Sequence, residues 1–262
     1  MLSRGVLLLY LAEKEQIKLL FNNSPFTIDE LKNLNDHSSK LWAKFRHIEN
    51  VASLMESSSD AANFSKQEKL MAFTAGQFHD IACISDIALT GKEYGPHHGA
   101  RGAIITIGIL NGYSGFNKDE IKIIATAIAN HDVAQPNNLT GFTRTLTLLL
   151  RDCDKVDCYR RLSTESLEST FQKPLKFDSR IRQDFASRCL AGEPIKYSEM
   201  QNFNEEALLY IGWFFQLKNT SCQKAALPMF KAFTERLIST TTDPETKLCA
   251  KEAIAKSSSI LN

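Results

Sequence analysis

The amino-acid sequence predicts an all-α protein on three observations: apolar residues recur at helical spacing, strand-like alternation is missing, and the breakers fall between the periodic segments. Ser24-Pro25 and Thr27 open a helix, because Thr27 and Glu30 three residues later form a capping box ahead of Leu31 and Leu34. A second helix carries Leu41, Phe45, Ile48, Ala52 and Met55 on one face. A third is expected over about Lys66 to Ile84, before the chain breaks at Gly91 to Gly95 and Pro96. The next runs from about His98 to Leu110 and stops in the Asn111-Gly112 and Ser114-Gly115 turns. Asn117 caps a helix through Ile121, Ile124 and Ile128 to His131, a loop around Pro136 to Gly141 follows, and Thr143 opens the helix that contains Asp154. Beyond Lys173-Pro174 and Gly192-Glu-Pro194 the strongest segment is Glu205 to Leu217, and Thr242-Asp243-Pro244 starts a last helix. No repeat, low-complexity tract or linker divides the chain, so a single domain over residues 1–262 is expected.

Composition narrows the function classes. At 262 residues with 43% hydrophobic content the chain supports a large buried core. A formal net charge of +1 provides no basic face for nucleic acid, so a phosphorylated ligand must be recognised locally. The six cysteines, at 83, 153, 158, 189, 222 and 249, form no CxxC pair and no dense framework, which points to a reducing, cytoplasmic setting. The apolar opening Val6 to Ala12 is too short and lacks the cleavage site of a signal peptide, and no stretch approaches the ~20 apolar residues of a membrane span.

The chemistry is concentrated in the histidines. Five of six fall at His47, His79, His97, His98 and His131, and an Asp-rich segment, Arg151-Asp-Cys-Asp154, follows them; the sixth, His37, lies in a polar stretch and reads as surface. Six histidines and thirteen aspartates in 262 residues predict about 0.3 His-Asp pairs by chance, so the two that occur, His79-Asp80 and His131-Asp132, carry little alone. The stronger signal is placement. His47 shares a helix face with Val51 and Leu54, His98 with Gly102, Ile105 and Ile109, His131 with Ile124 and Ile128, and Asp154 with Leu150 and Cys158. An unpaired polar group is costly on an inward face. Several helices each pointing an imidazole or carboxylate inward is how helical bundles build metal centres.

On these motifs the sequence resembles the HD-domain superfamily of metal-dependent phosphohydrolases, over roughly residues 41–161. Phe45-Arg-His47-Ile-Glu-Asn-Val51 resembles the family's first element, Gly76-Gln-Phe-His79-Asp80-Ile81 its doublet, and Asp152-Cys-Asp154-Lys155-Val156 its last, with Cys153 in place of the usual Ala. His98-Gly-Ala-Arg-Gly102-Ala103 matches the His-x-x-x-Gly-Ala helix start and so selects His98 over His97. Ile211-Gly-Trp213-Phe214 resembles a closing helix of some small bacterial HD proteins. The resemblance thus implies an HD-type helical bundle with a core at about 41–161 and a C-terminal helical extension at about 175–262 on the same domain. Val133-Ala-Gln-Pro136 and Cys83 stand where the cyclic-dinucleotide branch has Gly-Tyr-Pro and a Lys, so that activity is not implied.

The resemblance further implies His47, His79 and Asp154 on one metal and His98 and His131 on a second, with Asp80 bridging. Neutral imidazoles with carboxylates suit one or two divalent ions such as Mn, Fe, Ni, Co or Mg. Such a pair activates a water for in-line attack on phosphorus and clamps the phosphoryl oxygens. Lys155 and Arg101 are the candidates for the non-bridging oxygens, and Lys92 with Tyr94 offers a further phosphate and base contact. Asp132 is a candidate to orient a ligand imidazole or move a proton. The expected substrate is a small phosphomonoester or phosphodiester, with nucleotides among the candidates. Two alternatives share the ligand order: an HD-fold di-iron oxygenase and a catalytically silent nucleotide-binding HD module.

Overall fold

A computed structural model describes residues 14–19, 21, 38–91, 97–136, 138–168, 177 and 180–260. The protein is all-α, and no strand occurs among the described residues. The expected helix at 24–34, the apolar opening at 6–12, His37, Lys92, Tyr94 and the punctuation at 173–174 lie outside them. The chain divides into two compact units, Met1–Cys153 and Asp154–Asn262, with the division falling inside one continuous helix.

The first unit contains α1 (Ser38–Ala61), α2 (Lys66–Phe78), α3 (Ile81–Thr90), α4 (His98–Leu110), α5 (Lys118–Ala129) and the beginning of α6 (Gly141–Thr164). The expected α1 face is the buried one: Leu41, Phe45, Ile48, Ala52 and Met55 all lie in the core. It packs along α2, where a side chain on Gly76 would stand 2.7 Å from the Ala52 Cα, so only glycine allows the two backbones to touch. Helix α2 starts in a capping box, with Ser65 Oγ accepting from the Glu68 amide and the Glu68 carboxylate accepting from the Ser65 amide. Asn117 and Glu120 repeat the device at α5.

Two helices end earlier than their apolar periodicity predicts. The helix expected to run from Lys66 to Ile84 stops at Phe78, turns a corner at His79-Asp80 and restarts as α3. At the corner His79 Nδ1 donates to the Gly76 carbonyl at 2.8 Å, the acceptor that a continuing helix would offer to the amide of residue 80. Likewise α5 ends at Ala129 rather than reaching His131, whose Nδ1 donates to the Ile128 carbonyl at 2.7 Å. The periodicity continues through both corners, but side chains take the carbonyls that the next amides would need, His79 that of Gly76 and Asn130 that of Thr126.

The second unit contains the remainder of α6, α7 (Gln183–Ala191), a 3-10 turn (Tyr197–Glu199), α8 (Phe203–Gln216), α9 (Thr220–Thr240) and α10 (Pro244–Ile260). Its core is aromatic: Phe214 stacks on Phe230 at 4.4 Å, and Tyr159 meets Phe230 edge-on at 5.8 Å while donating its hydroxyl proton to the Tyr210 carbonyl. Asn202, Asn219 and Asp243 cap α8, α9 and α10 through their side-chain oxygens. Among the described residues no helix is long and apolar enough to cross a membrane.

Glu205, fully buried near the start of α8, joins the turn before α7 to this core. It accepts from Arg182 Nε at 2.7 Å and Nη2 at 3.0 Å, and from the amides of Arg182 and Gln201. Burial alone would raise its carboxyl, but Arg182 and the two amides hold it below its usual value of 4.5. A lowered carboxylate stabilises the fold at neutral pH, and that contribution is lost as the pH falls through the acid range below 4.5. Glu205→Gln is expected to cost about 1–2 kcal/mol at pH 7 and to flatten the acid limb of a melting-temperature profile. An unchanged acid limb would show that Glu205 does not carry it.

Candidate metal centre

The centre is built around one carboxylate. Asp80, at the corner between α2 and α3, is 2% exposed and acts as the N-cap position of α3 without using its side chain for capping. Four imidazole Nε2 atoms converge on it. His47 of α1 and His79 each lie 3.5 Å from Oδ2, while His131 lies 3.5 Å and His98 3.6 Å from Oδ1. The His47 and His79 Nε2 atoms are 3.2 Å apart. The six-residue pattern read from the sequence is thus gathered from helix ends as well as helix faces: His98 opens α4, His131 follows α5, and only His47 and Asp154 sit within helices.

The tautomers turn this into a donor set for a cation. A carbonyl oxygen only accepts, so the Nδ1 atoms of His79 and His131 carry hydrogen, and the Nδ1 of His98 faces the Asp132 carboxylate at 3.3 Å. In their neutral forms these rings turn Nε2 lone pairs towards the Asp80 oxygens, a donor set that could hold a cation, and in their protonated forms the same nitrogens donate to that carboxylate. An outer hydrogen-bond acceptor on the far ring nitrogen is the arrangement that orients metal-ligating histidines. The spacing also fits, because donors bound at about 2.0–2.3 Å to one tetrahedral ion stand about 3.3–3.8 Å apart. Among the described residues three overlapping groups have donor atoms within 4.8 Å of one another and could hold a metal ion: His47, His79 and Asp154; His79, Asp80 and His131; and Asp80, Cys83 and His98. Asp154 follows Cys153 directly on the unbroken α6.

Asp132 stands where it can orient His98. Its Oδ2 also accepts weakly from the Gly99 amide at 3.4 Å, and a side chain at Gly99 would come within 2.7 Å of its other oxygen. Glycine after the histidine therefore lets the start of α4 reach the end of α5. His97, by contrast, is exposed and holds a left-handed backbone (φ 56°) as the N-cap of α4, outside all three donor groups. Arg101 forks onto Asp86 at 2.7 and 2.5 Å, and Lys155 is half-buried next to Asp154 on α6.

Three residues with no assigned role in the sequence reading belong to the centre. Lys44, fully buried, places its ammonium 2.8 Å from Asp80 Oδ2. Cys83 Sγ lies 3.5 Å from Oδ1. Arg151 donates to the carbonyls of Asn130 at 3.0 Å, His131 at 2.9 Å and Ala134 at 3.3 Å, and to that of Val133, and so fixes the chain on both sides of His131. The signal for Lys44 is a lysine set among Leu41, Phe45 and Ile48 on an apolar face; for Cys83 and Arg151 it is only their spacing of three from Asp80 and Asp154.

The electrostatics follow from burial. Burial would raise the Asp80 carboxyl, but Lys44 and the surrounding imidazoles hold it well below the ordinary range. His98 is pushed down by burial against the opposing pull of Asp80, which favours the neutral imidazole. Burial, reinforced by Asp80, pushes the Cys83 thiol far up. No family model, curated protein or solved structure matches the chain.

Lys44→Met is expected to destabilise the metal-free protein by about 3 kcal/mol, because it leaves a buried carboxylate without its ammonium. Added divalent metal should then raise the melting temperature of the variant more than that of wild type; an equal rise would show that Lys44 and the cation do not share the Asp80 charge. For Arg151→Lys, whose single ammonium cannot span four carbonyls, metal affinity measured by equilibrium dialysis is expected to fall about tenfold or more with helical content unchanged. Wild-type affinity would rule out a role for Arg151 in placing His131.

Proposed function

We propose that the chain is a metal-dependent phosphohydrolase of the HD type, acting on a small phosphomonoester or phosphodiester with nucleotides among the candidates. The observation that carries the proposal is the division of labour on Asp80: each carboxylate oxygen has its own pair of imidazole Nε2 atoms, at 3.5 to 3.6 Å. One carboxylate set between two such pairs is suited to bridging two divalent ions, with Asp154 completing the His47 and His79 side. Imidazole and carboxylate donors suit Mn, Fe, Co or Ni, and Mg less well.

When bound, the ions supply an activated water and an electrostatic clamp on the phosphoryl oxygens. The protein supplies rigidity around them. His79, His98 and His131 are each locked in one tautomer, so no ring has to reorient as a substrate arrives. Lys44 limits the negative charge that Asp80 presents, and Asp132 holds His98. Lys155, immediately after Asp154, is the candidate cation for the phosphoryl oxygens; Arg101 is already committed to Asp86.

The test pairs metal analysis of protein purified without added metal with phosphate and p-nitrophenol release from generic phosphomono- and diesters under Mn, Mg, Ni and Fe. Turnover that requires metal and falls to background in Asp80→Ala is expected. Bound iron with oxygen uptake and no ester hydrolysis under any metal would replace the proposal with the oxygenase reading, and absence of metal binding would remove the centre altogether.

A further inference from the structure

The two oxygens of Asp80 do not have equivalent surroundings. On the Oδ2 side the additional neighbour is an ammonium, Lys44; on the Oδ1 side it is a thiol, Cys83. We infer that Cys83 is a metal ligand, so that the Oδ1 side of the centre is a mixed sulfur, nitrogen and oxygen site for a thiophilic divalent ion such as zinc or cobalt. The inference rests on the metal-centre reading above and refines it by naming the metal class.

The geometry is that of a closing ligand. Cys83 lies in the first turn of α3, three residues after Asp80, so its side chain returns over the corner where the carboxylate sits. Its Sγ is 3.5 Å from Oδ1, the same oxygen that has His131 Nε2 at 3.5 Å and His98 Nε2 at 3.6 Å. The separations of Cys83 and His98 from Oδ1 match the edge of about 3.3–3.8 Å expected between donors around one tetrahedral ion, while His131 falls in a different donor group, with His79 and Asp80. Asp80, Cys83 and His98 bring their donors within 4.8 Å of one another. The simpler account, a packed thiol donating a weak hydrogen bond to the carboxylate, is common for buried cysteine. It does not explain why the sulfur sits on the oxygen that two imidazole lone pairs already face.

Binding breaks the S–H bond and forms a sulfur–metal bond, and the displaced proton passes to solvent; nothing is oxidised or reduced. Thiolate beside imidazole and carboxylate then selects against magnesium, which binds hard oxygen donors.

Full-length protein titrated with cobalt(II) under anaerobic conditions tests this. The expected result is a near-ultraviolet sulfur-to-cobalt charge-transfer band that grows with cobalt bound and vanishes in Cys83→Ser, with cobalt affinity at that site weaker by about tenfold or more. X-ray absorption on the wild-type cobalt protein should find a sulfur neighbour at about 2.3 Å, which needs no variant to fold. Cobalt bound with only nitrogen and oxygen neighbours, or a band that persists in Cys83→Ser, overturns the role of Cys83 and leaves the metal centre standing. Failure of wild type to bind cobalt, zinc or manganese overturns both.

Discussion

The buried charge of Asp80 is the constraint on which the rest of the first unit's polar architecture depends. Moving an isolated carboxylate out of water costs several kcal/mol even after relaxation, so a position 2% exposed holds an ionised aspartate only with compensation at hydrogen-bond range. Lys44 provides one positive charge on Oδ2, and the imidazoles surround what remains. The imidazoles and Lys44 together hold the Asp80 carboxyl well below its ordinary range despite the burial. Together, ring nitrogens and carboxylates make a buried cluster that could hold a metal ion.

Local structure meets the constraint through helix ends. His79 Nδ1 takes the Gly76 carbonyl that the amide of residue 80 would need and so ends α2, while at the end of α5 Asn130 Nδ2 takes the Thr126 carbonyl and His131 Nδ1 takes that of Ile128 in the turn that follows. The corner at His79-Asp80 then redirects the chain into α3, where Cys83 returns to the carboxylate after one turn. Arg151 completes the arrangement from α6, satisfying the carbonyls left open where α5 stops. Fold and site are therefore one set of hydrogen bonds: removing His79 also frees the carbonyl that ends its helix.

Most helices of the first unit are legible in the sequence because they obey two local rules, apolar spacing and capping, as at Asn117, whereas α7 and α9 of the second unit are not read from it. His47, His98, His131 and Asp154 are legible because a polar residue on an apolar stripe is costly enough to require a reason, whereas His79 and Asp80 are marked only by the resemblance of their doublet. What periodicity could not show was where helices stop: residues 66–84 read as one helix because Ile81 and Ile84 remain on an apolar pattern, while the break is made by side-chain bonds that a pattern does not contain. Lys44 escaped notice for a related reason. A lysine in an amphipathic helix normally extends its stem to solvent, and only the tertiary position of Asp80 turns it inward. Arg151 reads as part of the Asp-rich segment, although its partners are backbone carbonyls, which the sequence does not mark.

The ammonium and the thiol also make the surroundings of Asp80 asymmetric. A divalent ion beside Oδ2 must share that oxygen with a positive charge 2.8 Å away, and the repulsion is strong at low effective dielectric. Beside Oδ1 the extra neighbour is a group that can exchange a proton for the ion and become a negative ligand. His47 and His79 also lie in a donor group with Asp154 that could hold a metal ion. The histidines, two to each oxygen, are nearly symmetric and cannot by themselves distinguish the sides. Any difference between the two sides of Asp80 therefore lies with Lys44 and Cys83 rather than with the imidazoles that first mark the site.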